Sequence, residues 1–163
     1  MLVNRSDVHY FEEVYAHSVI GFVIFLVIAL MVYLGIAIPR VPTIALIFVS
    51  TMLGFIYINF MKLKIIITSK QLRLGFGIFN YSVQLENIDY IEIRKPPWYW
   101  YGGLGIRLGW DWSIGFLQKF GRGVRITPKR GRRLFFSTNN PEAIVNIVND
   151  LIHKMEKTGR EIR

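Results

Sequence analysis

The fold of this chain is decided by residues 16–61, which have the sequence AHSVIGFVIFLVIALMVYLGIAIPRVPTIALIFVSTMLGFIYINFM. Residues 16–38 and 43–61 form two apolar runs that contain no Asp, Glu, Lys or Arg. A helix rises 1.5 Å per residue, so runs of about 20 residues are long enough to cross about 30 Å of hydrocarbon. The prolines on both sides of Arg40 predict a tight turn between them. We therefore expect a transmembrane helical hairpin.

Two other interpretations of the apolar runs fit the sequence less well. A cleaved signal peptide has a basic leader and an apolar stretch of about 7–15 residues, whereas Glu12 and Glu13 precede the first run and the run is longer. A pair of buried helices in a soluble protein would show a polar face, which both runs lack. Charged residues inside a membrane usually mark ion or substrate pathways, so their absence argues against a transporter or pump role for this chain alone.

Small residues within the runs predict close helix packing. Ser50 and Gly54 form a small-xxx-small pair, and Ser18 and Gly21 are similarly small. Such residues let two helix backbones approach each other closely. The contact can lie within the hairpin or between two protomers, and both alternatives are kept.

The positive charge lies after the apolar runs. The chain has a net charge of +9, and residues 62–163 contain 18 Lys/Arg against 8 Asp/Glu. Several of these cations follow the second run closely, whereas Arg40 alone lies in the turn. By the positive-inside rule, both termini are expected on the cytoplasmic side of the cell membrane. The expected parts are a cytoplasmic segment 1–15, the hairpin 16–61 and a cytoplasmic domain 62–163.

The residues offer little for catalysis or for metal binding. Cysteine is absent, which excludes disulfides, thiolate metal sites and cysteine nucleophiles. Of the three histidines, His9 and His17 precede or enter the first apolar run, and His153 lies on the terminal helix without a ligand at i+4, so no metal or cofactor is expected. Ser113 lacks a nucleophile motif and Asp111 lacks a partner carboxylate. We expect Asp111 at a loop or edge, solvated or paired to an arginine, and no enzymatic activity.

Beyond Met61 the hydrophobic pattern alternates, which indicates short antiparallel strands. Strands are predicted at 63–68, 71–77, 81–85, 88–94, 105–109, 114–120, 124–127 and 132–137. Their expected core residues are Leu72, Leu74, Phe76, Tyr81, Val83, Leu85, Ile91, Ile93, Ile106, Leu108 and Ile126. Pro141 then starts an amphipathic helix that is expected to end near Gly159.

The sequence resembles a known family at both ends of this region. Residues 65–72 (IIITSKQL), a glycine-bearing turn and residues 83–93 resemble the start of prokaryotic pleckstrin-homology-like domains that follow transmembrane helices. Residues 123–126 and 136–141, with the helix that follows, are similar to the end of those domains. The resemblance covers residues 63 to about 155. It implies a β-barrel or sandwich of about seven strands with a C-terminal capping helix, no catalytic signature, and assembly or adaptor roles.

Two groups of residues are candidates for binding. The basic candidates for anionic lipid headgroups are Lys62, Lys64, Lys70, Arg73, Lys129, Arg130, Arg132 and Arg133. For the first four, a topology signal without lipid binding is the alternative. The aromatic candidates for a partner interface, which could instead close the barrel or sit at the bilayer interface, are Trp98, Tyr99, Trp100, Tyr101, Trp110 and Trp112. A membrane tether argues against nucleic acid as the partner.

The leading functional hypothesis is a membrane-anchored, non-catalytic binding module, acting as a scaffold or regulatory subunit. It would contact anionic lipid, a protein partner or a second copy of itself. One alternative is an accessory subunit of a membrane enzyme or transporter complex with a pocket around residues 98–112. The other is a structural homo-oligomer.

Overall fold

A computed structural model describes the backbone of residues 7–38 and 42–161, and their side chains except those of 98, 156 and 158–161. The described chain contains nine strands and three α-helices. In chain order they are β1 (Val8–Tyr15), α1 (Ser18–Ala37), α2 (Thr43–Phe60), β2 (Lys62–Thr68), β3 (Gln71–Phe76), β4 (Phe79–Gln84), β5 (Ile88–Arg94), β6 (Gly105–Leu108), β7 (Ile114–Leu117), β8 (Gly123–Pro128), β9 (Leu134–Ser137) and α3 (Pro141–Glu161).

The two predicted apolar helices are present and lie outside the packed core. Both α1 and α2 are long and apolar enough to cross a membrane, and 0% and 6% of their most apolar windows are buried in the fold. They are therefore not core helices of the β region. The turn predicted around Arg40 falls on residues 39–41, which lie outside the described residues.

The two helices pack closely, but not at Gly54. A Cβ added at Gly54 would meet no atom within 4 Å, so this glycine is not at a close contact. Close approach occurs at Gly21, where an added Cβ would collide with the Tyr57 hydroxyl. Ser50 does face α1, with its Oγ 3.7 Å from the sulfur of Met31. Within the hairpin, the small residues at close contacts are therefore Ser50 and Gly21, and a contact of Gly54 with a second protomer stays a prediction.

The first sheet, which we call sheet A, contains a strand that the sequence did not predict. Its order is β1-β2-β3-β4, with all neighbours antiparallel. Strand β1 precedes α1 but pairs with β2, which follows α2. The Ala16 amide donates to the Met61 carbonyl at 2.9 Å and extends this ladder to the first helix. The helical hairpin is therefore an insertion between the first two strands, and the β region includes Val8–Tyr15 as well as the chain after Met61.

The second sheet, sheet B, has the order β5-β8-β9-β7-β6. Its pairs are antiparallel except for the parallel pair β7–β9. One core lies between the two sheets and α3. Its largest fully buried side chains include Leu63, Ile65, Ile67, Leu72, Leu74, Phe76, Leu85, Ile126, Leu134, Phe136 and Ile144.

The eight predicted strands are all present, with ends that shift by up to three residues. Tyr81 and Ile93 are only partly buried, and two other predicted core residues are exposed: Ile106 is 36% exposed and Leu108 is 55% exposed. Both lie on β6, which is the edge strand of sheet B. An alternating pattern predicts a strand, but not whether another layer covers it.

Candidate functional site

The end of α2 is fastened to sheet B by Gln118. The Gln118 side chain is 3% exposed, and its Nε2 donates to the carbonyl oxygens of Phe60 at 3.0 Å and Met61 at 2.8 Å. The last carbonyls of a helix have no partner within the helix, so a buried amide that donates to them satisfies groups that would otherwise need water. Gln118 thereby couples the β region to the helical hairpin.

Asn59 makes a second connection, to the turn between β3 and β4. Its side chain donates to the Phe55 carbonyl at 2.9 Å and accepts the Ile78 amide at 3.3 Å. Gly77 has a φ of +50° and lies against Asn59, so a side chain at position 77 would be strained and would collide with it. The hairpin and the β region are thus joined by polar contacts from both sheets.

Replacing Gln118 with Met should loosen this junction. The change keeps the side-chain volume but removes the Gln118 donor from both carbonyls; Met61 keeps its hydrogen bond from the Ala16 amide, and loss of the donor to Phe60 costs about 1–3 kcal/mol of unfolding free energy. Thermal unfolding of the full chain in detergent measures the loss, with Gln84→Met on the exposed side of β4 as the control. Equal stability of the two variants would contradict the role assigned to Gln118.

Lys62 and Lys64 lie beside the helix ends, as the sequence predicts, but both face Glu13. Their Nζ atoms lie 3.1 and 3.6 Å from Glu13 Oε1, across the β1–β2 pair. The pKa of Glu13 is lowered chiefly by the hydrogen bond from Tyr15, at 2.6 Å, and also by Lys62. One carboxylate therefore offsets part of the positive charge at the end of sheet A that adjoins the helices.

Lys70 and Arg73 are not beside the helix ends, although they follow α2 closely in sequence. Strand β2 leads away from α2, and its six steps from Lys62 to Thr68 span about 20 Å. Lys70 lies in the turn at the far end of β2, and Arg73 lies in the middle of β3, opposite Ile66. The number of residues that separates a side chain from α2 is a poor measure of its distance in space from the helix ends, because a strand advances more than 3 Å per residue.

The basic hairpin 129–133 lies at the same far end of the β region. The Lys70 carbonyl accepts the Leu85 amide at 2.9 Å, and Leu85 begins the short turn that contains Asn87. Asn87 holds the basic hairpin through three hydrogen bonds. Its carbonyl accepts the Lys129 amide at 2.7 Å, its Oδ1 accepts the Arg130 amide at 3.1 Å, and its Nδ2 donates to the Arg130 carbonyl at 2.9 Å. The hairpin is therefore fixed to sheet A at the end opposite the helices.

We call this region the distal basic surface. It consists of Lys70, Lys129, Arg130, Arg132 and Arg133. All five residues are exposed, and among the described residues none of them forms an ion pair with a carboxylate. By contrast, Arg94, Arg122 and Arg125 pair with Glu92, Glu142 and Asp111. An open polar cleft of about 650 Å³ lies between the basic hairpin and β4, and Glu86 and Tyr81 also line it.

The aromatic segment after β5 covers the outer face of sheet B. Tyr101 is 6% exposed and stacks on Phe135, with ring centroids 5.4 Å apart. Trp100 and Leu104 pack against the same small cluster. Tyr99 is exposed, and the Trp98 side chain lies outside the described residues. The packing of Trp100 and Tyr101 agrees with the interpretation in which these aromatics close the β structure.

Asp111 is paired to an arginine, as expected from the sequence. Its carboxylate forms an ion pair with Arg125 and accepts the Ser113 hydroxyl at 2.5 Å. Tyr101 OH lies 2.9 Å from Ser113 Oγ and donates to it, since the serine proton is directed to Asp111. Burial alone would raise the pKa of Asp111, but the Ser113 hydrogen bonds and the Arg125 charge outweigh it and lower the pKa below its ordinary value. The negative charge of Asp111 in this cluster is therefore balanced by Arg125.

The Asp111 network supports a tight turn that exposes two tryptophans. Trp110 and Trp112 are 80% and 71% exposed, and Trp112 has a φ of +60°. A nearby cavity of about 190 Å³ lies between Pro96, Pro97 and Tyr101, and Asp111 is not among the residues that line it. Residues 98–112 therefore combine a packed segment with an exposed aromatic turn.

Within residues 7–38 and 42–161, no group of three or more His, Asp or Glu side chains is arranged to hold a metal ion. Comparison with protein-family models and with curated proteins gives no match to this chain. The function is therefore inferred from the surfaces of the protein itself.

Proposed function

We propose that this protein is a membrane-anchored binding module without catalytic activity, which presents the distal basic surface to an acidic partner protein. One observation carries the proposal: five unneutralised cations are held at the end of the β region opposite the apolar helices. The Asn87 hydrogen bonds give this surface a defined shape before any partner binds. A prearranged surface loses less conformational entropy on binding than a flexible tail.

In this proposal α1 and α2 span the membrane, and both termini lie in the cytoplasm. The lengths and composition of the helices support the first point. The second rests on the many Lys and Arg residues that follow α2. Because β1 and β2 are paired, the chain enters and leaves the hairpin on the same side, next to the Ala16–Met61 hydrogen bond.

Distance favours a protein partner over the protein's own bilayer. The distal basic surface lies about 20 Å along β2 from the helix ends. The Debye length at physiological ionic strength is about 8 Å, so attraction to headgroups at the helix ends is strongly screened. Lys62 and Lys64 are closer, but Glu13 offsets their charge. The five cations of the distal basic surface therefore lie at the end of the β region away from the anchor.

The fold-level resemblance supports the same class of function by analogy. Two sheets around one core and a C-terminal helix fit the expected pleckstrin-homology-like barrel or sandwich. Functions on a shared fold reside in individual surfaces, so the resemblance indicates an adaptor role without identifying the partner. The pairing of Asp111 with Arg125 also leaves this acid poorly suited to proton transfer.

Site-specific photo-crosslinking of the full-length protein in its native membrane tests the proposal. A photoreactive residue at position 133 should crosslink to one defined acidic protein, and Arg130→Glu with Arg132→Glu should reduce that crosslink at least tenfold, because attraction becomes repulsion. Lys95→Glu with Lys157→Glu changes the net charge equally at exposed positions elsewhere and should leave the crosslink intact. Crosslinks to lipid alone, or equal losses in both double variants, would refute the proposal.

A further inference from the structure

A groove lies where the helical hairpin meets the edge of sheet B, and nothing in the proposed function uses it. It encloses about 340 Å³ between α1, α2 and β6. We call it the junction groove and define it by Ile20, Ile24, Leu53, Tyr57, Ile106 and Arg107. A volume of this size is within the range of small-molecule sites in proteins.

The groove extends along the apolar helices. Ile24 is the seventh residue of α1, and Leu53 lies seven residues before the end of α2. At 1.5 Å per residue, the groove reaches about 10 Å from the β region along the hairpin. If the hairpin spans a bilayer, this depth lies within the hydrocarbon, where the available apolar occupant is an acyl chain.

One cation stands at the opposite end of the groove. Arg107 belongs to β6, is exposed, and forms no ion pair with a carboxylate among the described residues. Its Nε donates to the Leu104 carbonyl at 3.0 Å, which orients the guanidinium and leaves its two terminal amino groups available. Gly103 has a φ of +142°, and a Cβ placed on it would lie within 4 Å of the Arg107 guanidinium. The positive φ at position 103 favours glycine in the loop that lies against Arg107.

The groove has two other polar side chains, Tyr57 and Gln118: the Tyr57 hydroxyl lies against Gly21, and the Gln118 amide is already used. Both hydrogen bonds of the Gln118 amide nitrogen go to the carbonyls of Phe60 and Met61. Arg107 is thus the group that gives the groove its charge. A guanidinium binds a phosphate with two parallel hydrogen bonds, which a carbonyl or hydroxyl headgroup cannot offer.

From this arrangement we propose that the junction groove is a binding site for one membrane phospholipid. An acyl chain fills the groove between α1 and α2, and the phosphate is bound by Arg107 at the level where the helices meet the β region. The site depends on the hairpin being in a membrane, but not on the distal basic surface or its partner. A lipid bound here would also fill the space between the two units that Gln118 and Asn59 connect.

Native mass spectrometry of the full-length protein, released from maltoside micelles doped with phosphatidylglycerol, tests this site. The wild-type protein should retain one phospholipid. Arg107→Gln should reduce the retained fraction about tenfold, as expected when a charge-assisted hydrogen-bonded pair is lost. Ile20→Phe, which places a larger side chain in the groove, should reduce retention similarly while Arg107 stays intact.

Lys157→Gln is the matched control, since it removes one positive charge at an exposed position of α3, which packs against β5 at the edge of sheet B opposite β6. It should leave retention unchanged, and circular dichroism should show that all three variants keep the wild-type fold. Unchanged retention in both groove variants would overturn the proposal. An equal loss in Lys157→Gln would also overturn it. So would a dimer without bound lipid, which would assign the groove to a second copy of the chain. Photo-crosslinking at the distal basic surface should be unaffected by Arg107→Gln, so the two proposals can fail separately.

Discussion

Replacing Glu12 with Ala should lower the unfolding free energy by about 3 kcal/mol, whereas replacing its neighbour Glu13 should change it by about 0–1 kcal/mol. Glu12 is 8% exposed and points into the β region. Its carboxylate accepts hydrogen bonds from the Thr138 hydroxyl at 2.5 Å, the Asn139 amide at 2.7 Å and the Tyr10 hydroxyl at 2.9 Å. Removing it takes away the acceptor of the buried hydrogen bond from the Thr138 hydroxyl and of the partly buried bonds from the Tyr10 hydroxyl and the Asn139 amide.

Glu13 is the matched control because it is the adjacent carboxylate on the opposite face of β1. Its ion pairs with Lys62 and Lys64 are partly exposed, and pairs of this kind contribute little to stability. Thermal unfolding of both variants in the same detergent, followed by circular dichroism, gives the comparison. Equal losses of stability, or a larger loss for Glu13→Ala, would show that β1 is not anchored through Glu12.

The Glu12 contacts also explain why β1 matters to the rest of the fold. They join the strand before the hairpin to the segment that leads into α3, so the two ends of the described chain meet in one core. Val14, on the same face of β1, is 2% exposed and belongs to this core. A fragment that starts at Lys62 would expose the β2 edge and lose the Glu12 contacts. Binding experiments on the β region therefore need the full chain.

The sequence predicts those elements whose cause is local. Uninterrupted apolar runs set the two helices, and the bounds of β5 agree with its alternating pattern residue for residue. Pro141 starts α3 as expected, because proline favours the first helical position. In each case the deciding residues lie within the element itself, and no distant partner is needed to recognise it.

Contacts across long stretches of sequence could not be predicted. Two adjacent acidic residues conceal the alternation of β1, and its partner strand lies on the other side of the hairpin. Asn87 and Gln118 are single amides whose partners lie 43 and 57–58 residues away. Such a residue has no local pattern, because its role depends on what the fold brings next to it. The basic hairpin could be predicted from the sequence because its turn residues form a local pattern. Its position relative to the helices depends on distant contacts and could be seen only in the structure.

Replacing Asp111 with Ala should destabilise the protein by about 2 kcal/mol and change the environment of the exposed tryptophans. The Asp111 and Arg125 side chains are 18% and 17% exposed, so the loss should be smaller than the 3–5 kcal/mol typical of breaking a fully buried pair. Without the carboxylate, Ser113 loses its acceptor and Arg125 keeps a poorly solvated charge. The turn that holds Trp112 at a φ of +60° also loses its support.

Thermal unfolding combined with tryptophan fluorescence measures both effects, with Asp89→Ala at an exposed position of β5 as the control. The pH dependence provides an independent measurement. Because folding lowers the pKa of Asp111, its stabilisation is present above the unfolded pKa and is lost as pH falls through the folded pKa. The stability difference between wild type and Asp111→Ala should therefore shrink in acid.

Replacing both members of the pair separates charge from shape. Asp111→Asn combined with Arg125→Met removes both charges while keeping similar volumes, and it should recover most of the stability lost in Asp111→Ala, because no unpaired charge remains. If the double variant is as unstable as Asp111→Ala, the hydrogen bonds to Ser113, rather than the ion pair, maintain the turn. If neither variant differs from wild type, the network does not support the tryptophan turn, and the exposure of Trp110 and Trp112 needs another cause.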